Sequence, residues 1–184
     1  MREPLIFIFE ALSRLYLLAF LLRFILHWVR ADFYNPFAQS IVKITNPLIV
    51  PVRRFVPSSR TIDVPALVVL LMLEAVVTWV LVYIAGGVLG FGELLPVTLY
   101  RLISLALWFY FWSIIIYVVL SWIGQRGYNP VAAVLSEINE PLLRPFRRIM
   151  PSIAGLDLSP LVALLLLQAG MMVTTNLLGA WALF

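Results

Sequence analysis

Four stretches of this chain are apolar for long enough to cross a bilayer, which takes about 20 residues. They run roughly over 5–29, 64–87, 99–123 and 160–183. Polar connectors that contain prolines, Arg30–Asp63 and Gly124–Asp157, separate the first span from the second and the third from the fourth. Between the second and third spans lies only the glycine-rich segment Gly86–Pro96. It reads as a tight turn rather than a phosphate cradle, because no Gly-Lys-Ser/Thr follows.

The connectors change period. In the first, apolar residues recur at Phe37, Ile41, Ile44 and Leu48; in the second, at Val131, Leu135, Ile138 and Leu142. That spacing predicts one short amphipathic helix in each. Asn35 and Asn129 suit the N-cap, and Pro36 and Pro130 the first helical position. Such a helix either lies along the membrane interface or packs against the bundle. Pro47 and Pro51, like Pro141 and Pro145, are expected to end or interrupt it, since proline donates no N–H. Pro57-Ser58 and Pro151-Ser152 then turn the chain back. Asp63 and Asp157 stand where the next span begins, to cap its free N–H groups or to pair with the arginines of their own connector.

These two accounts are nearly the same because the chain repeats. Asn35-Pro36, Asn46-Pro47, Pro51-Val52-Arg53-Arg54, Pro57-Ser58, Asp63 and Leu67 recur 94 residues later, without a gap, as Asn129-Pro130, Glu140-Pro141, Pro145-Phe146-Arg147-Arg148, Pro151-Ser152, Asp157 and Leu161. The expected units are 1–94 and 95–184. Each contains two spans, an even number, so the copies share one orientation and form a parallel repeat.

Composition narrows the class. Of 184 residues, 63% are hydrophobic and 12% charged, half the usual share for a soluble domain. The net charge of +4 lies mostly in the connectors, which points to anionic phospholipid headgroups and not to nucleic acid. Lys and Arg beside the spans report orientation: Arg30, Lys43, Arg53, Arg54 and Arg60 in one connector, Arg126, Arg144, Arg147 and Arg148 in the other, against little beyond Arg2 and Arg101 on the opposite side. Both connectors are therefore expected in the cytoplasm and both termini in the periplasm. The first apolar stretch contains Glu10, Arg14 and Arg23 and lacks a small-residue cleavage site, so it reads as a permanent span rather than a signal peptide. With no cysteine and one histidine, the chain offers no disulfide, iron–sulfur, thioether-haem or multi-histidine metal site. No cofactor is expected.

The stretch from Asn46 to Pro57 followed by Asp63, and its copy from Glu140 to Pro151 followed by Asp157, resemble the signature of the YggT family. The resemblance covers nearly the whole chain. It implies a two-unit, four-span protein similar to the form found in proteobacterial inner membranes. It also implies no enzymatic activity, with links in different branches to osmotic or ion tolerance, cell-division gene neighbourhoods and membrane-complex maturation in plastids.

Charges inside spans are costly and by default functional. Glu10, Arg14, Arg23, His27 and Glu74 become Ser104, Trp108, Tyr117, Ser121 and Gln168 in the second repeat. Acid and base vanish together, as paired charges would. Glu74 is therefore expected to pair with Arg14 or Arg23, either as a buried lock, as a step in an ion or proton pathway, or as a contact with another membrane protein. The Arg pairs, present in both repeats, either set topology or form a rigid fork for a phosphate headgroup or an acidic protein surface.

The reading that results is an all-α, four-span inner-membrane protein of two parallel hairpins with interfacial connector helices. Its function is to organise or assist other membrane components through Arg53, Arg54, Arg147 and Arg148. The alternative is a small ion transporter or channel subunit built on Glu74 with Arg14 or Arg23, which needs a homo-oligomer because four spans are few.

Overall fold

The computed structural model describes residues 2–58, 62–123, 129–149 and 157–181. Six helices account for nearly all of them: α1 (Arg2–Trp28), α2 (Pro36–Arg53), α3 (Val64–Ala85), α4 (Phe91–Ile123), α5 (Pro130–Ile149) and α6 (Ser159–Trp181). Helices α1, α3, α4 and α6 are long and apolar enough to cross a membrane. The expected turn at Pro151-Ser152, the cations Arg60 and Arg126, and the last residues of the fourth span lie outside the described residues.

The span boundaries follow from their caps. Helix α3 ends at Gly86, which adopts the left-handed conformation with φ 87°. There the Gly86 N–H bonds Tyr83 O at 3.1 Å and the Gly87 N–H bonds Val82 O at 2.9 Å, which satisfies two carbonyls of the last turn. Helix α4 then starts at Phe91, eight residues before the expected 99. The reason is local. Glu93 turns its carboxylate back to accept from the Gly90 N–H at 3.3 Å, while Gly90 O accepts from the Glu93 and Leu94 N–H groups. That reciprocal arrangement starts a helix that Pro96 then tolerates within its second turn.

The connectors fold as two helices. Asn35 accepts from the Phe37 N–H at 2.9 Å, and Asn129 from the Val131 and Ala132 N–H groups at 3.0 and 3.2 Å. The prolines do not end these helices, contrary to expectation: Pro47 and Pro51 lie inside α2, Pro141 and Pro145 inside α5. All four are exposed. The backbone bond that each removes lies on the outer side, where water or headgroups reach the freed carbonyl. The buried faces coincide only in part with the apolar stripes. Helix α2 buries Ala38, Ile41, Thr45 and Ile49 while Ile44 and Leu48 are exposed. Helix α5 buries Val134, Leu135, Ile138, Asn139 and Leu143. Thr45 and Asn139 are polar positions on the buried side, and hydrophobic periodicity passes over them.

Packing proceeds in pairs. Helix α1 lies against α3 and α4 against α6, with α3 against α4 between the pairs; α2 covers α1 and α3, and α5 covers α4 and α6. One apolar cluster centres on Phe20, Leu26, Ile49 and Leu70 and extends to Leu105, Val134 and Ile138. A smaller one holds Ile114, Leu143, Ala163 and Leu167. Each member of the smaller cluster sits 94 residues after Phe20, Ile49, Val69 or Leu73 of the larger.

Gly86 is where a side chain conflicts with the backbone. Gly86→Ala should destabilise the protein by about 1–2 kcal/mol, the cost of a left-handed non-glycine residue. A denaturation midpoint in detergent unchanged from wild type would show that the turn does not need its glycine.

Candidate functional site

In both halves the connector helix is tied to the start of the following span by one carboxylate. Asp63 accepts from the Ala66 N–H at 3.4 Å, capping α3, and from Arg53 Nη2 at 2.8 Å. Asp157 accepts from the Ser159 N–H at 2.9 Å and from Arg147 Nε at 2.8 Å. Capping and ion pairing, which the sequence left as alternatives, are done by the same group.

Around this shared bond the halves differ in a compensating way. In the first, Arg23 reaches from α1 into the connector. Its Nη1 lies 2.7 Å from Asn46 Oδ1, 2.8 Å from Thr45 Oγ1 and 3.2 Å from Val42 O, and its Nε lies 3.7 Å from Asp63 Oδ2. In the second half Tyr117 stands in place of Arg23 and Glu140 in place of Asn46. Arg147 then pairs with Glu140 as well as Asp157, and its Nη2 donates to Tyr117 Oη at 3.3 Å. Two arginines face one carboxylate in the first half, and one arginine faces two carboxylates in the second. For Arg147, partial burial acts to lower the pKa. The bonds to Asp157 and Tyr117 and the charge of Glu140 outweigh it, so the guanidinium is held above its ordinary value. For Asp157, partial burial acts upward, yet the bonds from Ser159 and Arg147 hold the carboxyl below its usual range.

The Arg pairs do not form forks. Neighbouring residues on a helix point about 100° apart; Arg53, itself exposed, and half-buried Arg147 reach Asp63 and Asp157, while Arg54 and Arg148 are exposed and make no ion pair among the described residues. The first arginine of each pair anchors the connector. The second is left to face outward.

Within the spans the expected pairing of Glu74 with Arg14 or Arg23 is not formed. Glu74 Oε1 accepts from Arg101 Nε of α4 at 2.7 Å, and Glu10 Oε1 lies 4.0 Å from Arg101 Nη1. Arg14 instead sits over the ring of Trp108, 4.7 Å from its centroid, a cation–π contact between α1 and α4. The cause lies at the ends opposite the connectors. Glu74 is eleven residues before the end of α3 at Ala85, and Arg101 is ten after the start of α4 at Phe91. They lie about 15 Å into their helices at ~1.5 Å per residue. Read as a flanking charge of a span starting at 99, Arg101 has no reason to be considered. Gln168, the counterpart of Glu74, is exposed on α6.

Among the described residues no group of three His, Cys, Asp or Glu is placed to hold a metal ion. A cleft of about 330 Å³ opens between α4 and α5 beside Tyr117, Ser121, Asn129 and Ser136. In the first half the corresponding contact is closed, with Leu26 and Ala38 fully buried.

A family model described as CCB3/YggT matches residues 3–84 and again residues 96–178. An uncharacterized protein of Pseudomonas aeruginosa is 45% identical over 177 residues, covering 95% of this chain and 90% of that protein. One of Vibrio alginolyticus is 39% identical over 175 residues, covering 94% of each. The protein YggT of Escherichia coli is 36% identical over 168 residues, covering 90% of this chain and 86% of its own length. No solved structure matches this chain.

The Glu74–Arg101 bond sets a clear expectation. Arg101→Ala should cost about 3–5 kcal/mol, since it leaves buried Glu74 without its partner, and Glu74→Ala should cost less, since Glu10 remains near Arg101. The double variant should lose at least ~1 kcal/mol less than their sum, whereas Glu74→Ala with Arg14→Ala should be additive. Additivity for the first pair in detergent unfolding would dissolve the bond.

The Asp157 carboxyl is held below its unfolded value of about 3.9. Its contribution is therefore complete above that pH and fades as the pH falls through the lower, folded value. Both partners are partly exposed, so solvent screening keeps the effect under about 1 kcal/mol. Asp157→Asn should flatten this part of the acid-unfolding profile, and a profile that overlays wild type would remove the claim.

Proposed function

The chain belongs to the CCB3/YggT family, and on that premise we propose that it is a non-enzymatic, multi-pass inner-membrane protein that holds other membrane components against a basic platform made by its two connectors. The observation that carries this reading is the contact between α2 and α5. Asn35 Nδ2 donates to Pro130 O at 2.8 Å, and the Asp32 N–H donates to Glu137 Oε2 at 3.2 Å. Segments that touch stand on one side of a bilayer. This supports two parallel hairpins, 1–94 and 95–184, with both connectors on the same face.

The excess of Lys and Arg favours a cytoplasmic position for that face, with both termini in the periplasm. Exposed Ile44, Leu48, Phe55 and Ile149 beside exposed Lys43, Arg54, Arg144 and Arg148 suit helices lying at the headgroup level. Arg54 and Arg148 are the outward contacts, to anionic phospholipid headgroups and to the acidic surface of a membrane protein held there. Arg53 and Arg147 set the platform's position through Asp63 and Asp157. The charges within the spans are met inside the bundle, Glu74 by Arg101 and Arg14 by the ring of Trp108, which favours a framework over an ion path.

In a deletion strain under hyperosmotic salt, Arg54→Glu with Arg148→Glu should fail to restore growth while inserting at wild-type levels. Arg54→Lys with Arg148→Lys should restore most of it. Full rescue by the charge-reversed protein would end the platform reading.

A further inference from the structure

Helix α6 exposes a stripe at Leu161, Leu165, Gln168, Met172 and Thr175. The spacing alternates four and three residues, the 3.5-residue period of a helix–helix seam. The internal repeat supplies the comparison. Ninety-four residues earlier the same stripe on α3 reads Leu67, Leu71, Glu74, Thr78 and Leu81. There every position is buried or half-buried, with Glu74 and Thr78 each 2% exposed. On α6, Leu165 is 62% and Met172 58% exposed.

The difference has a plain cause. Helix α3 packs against α4 as well as α1, and Arg101 of α4 closes on Glu74. Helix α6 packs against α4 and α5 through the side that bears Ala163 and Leu167. The copy of the covered α3 face therefore has no counterpart to α4 among the described helices.

Gln168 marks what belongs there. It lies nine residues into α6, about 14 Å from the helix start and near the middle of a ~30 Å hydrocarbon core. Its amide is exposed and makes no hydrogen bond with any described residue. Such a group in lipid is costly until it finds a partner. A primary amide is donor and acceptor at once, so two of them related by a two-fold axis satisfy each other. The outer face of α1 exposes Leu5, Phe7, Ile8, Leu12 and Leu15 with Tyr16, and the helix carries no side-chain amide.

We propose that α6 is the seam of a homodimer. Two copies of this chain pack α6 to α6 in parallel about a two-fold axis along the membrane normal. Their Gln168 amides pair at the centre, and Leu161, Leu165, Met172 and Thr175 form the layers on either side. The inference rests on the proposed function only in requiring that both copies insert the same way round.

The chain contains no cysteine, so single cysteines report directly. In native membranes, oxidation should cross-link full-length Leu165→Cys and Met172→Cys to dimers several-fold more than Leu166→Cys and Val173→Cys. The latter two positions are equally exposed but turned about 100° away. Gln168→Leu should weaken the dimer by roughly three- to fifteen-fold in detergent titration, while Gln168→Asn retains most of it. Equal cross-linking at all four positions, preference for 166 and 173, adducts only with a different protein, or an unchanged dimer in Gln168→Leu would each overturn the seam. Cross-linking confined to a Leu161→Cys copy with a Thr175→Cys copy would mean antiparallel packing. That outcome overturns the shared orientation and with it the parallel dimer, whereas loss of growth rescue in the Arg54 and Arg148 variants tests the platform separately.

Discussion

A helix that enters a bilayer brings free backbone N–H groups with it, and no water waits inside to bind them. In this protein the returning span of each half begins with an aspartate that accepts from one of those groups and from the arginine closing the connector helix. The prolines, the Arg pair and the spacing between them make sense from that point. The connector must arrive with an arginine within reach of the aspartate, ten residues ahead of it in both halves. Because the bond joins the connector helix to the first turn of a span, it fixes how the two helices are set against each other.

Around that fixed bond the duplicated halves have drifted apart without leaving a charge stranded. Arg23 is met by neutral acceptors of α2 and by Asp63; in its absence Tyr117 turns its hydroxyl to Arg147, and Glu140 supplies a second carboxylate. Each half solves the same electrostatic problem with a different sign of excess. In the spans the first half also carries Glu10, Arg14 and Glu74, and all three find their partners on α4, the first helix of the other half. Those contacts, with the touching connectors, join the two helical pairs.

How much of this was legible in the sequence depends on whether one helix or two are involved. The spans, the asparagine caps and the repeat are properties of single segments, and composition and spacing report them well. The start of α4 was harder. Its glycines suggest a turn through Pro96, while Glu93 folds back on Gly90 to begin the helix. The prolines of α2 and α5 were misjudged because a breaker costs little where its freed carbonyl faces outward. Thr45 and Asn139 hide on buried faces because apolar periodicity counts only apolar residues. The partner of Glu74 was out of reach while Arg101 read as a charge flanking a span that starts at 99; counted from the α3–α4 turn, Arg101 and Glu74 stand level.

The bond between Glu74 and Arg101 spans 27 residues of sequence and joins the two halves. During synthesis at roughly 5–20 residues per second, Arg101 is added about one to five seconds after Glu74. Through that interval the first hairpin holds an acid whose permanent base has not yet been made. The contact that ties α3 to α4 thus cannot form until the third span has been made.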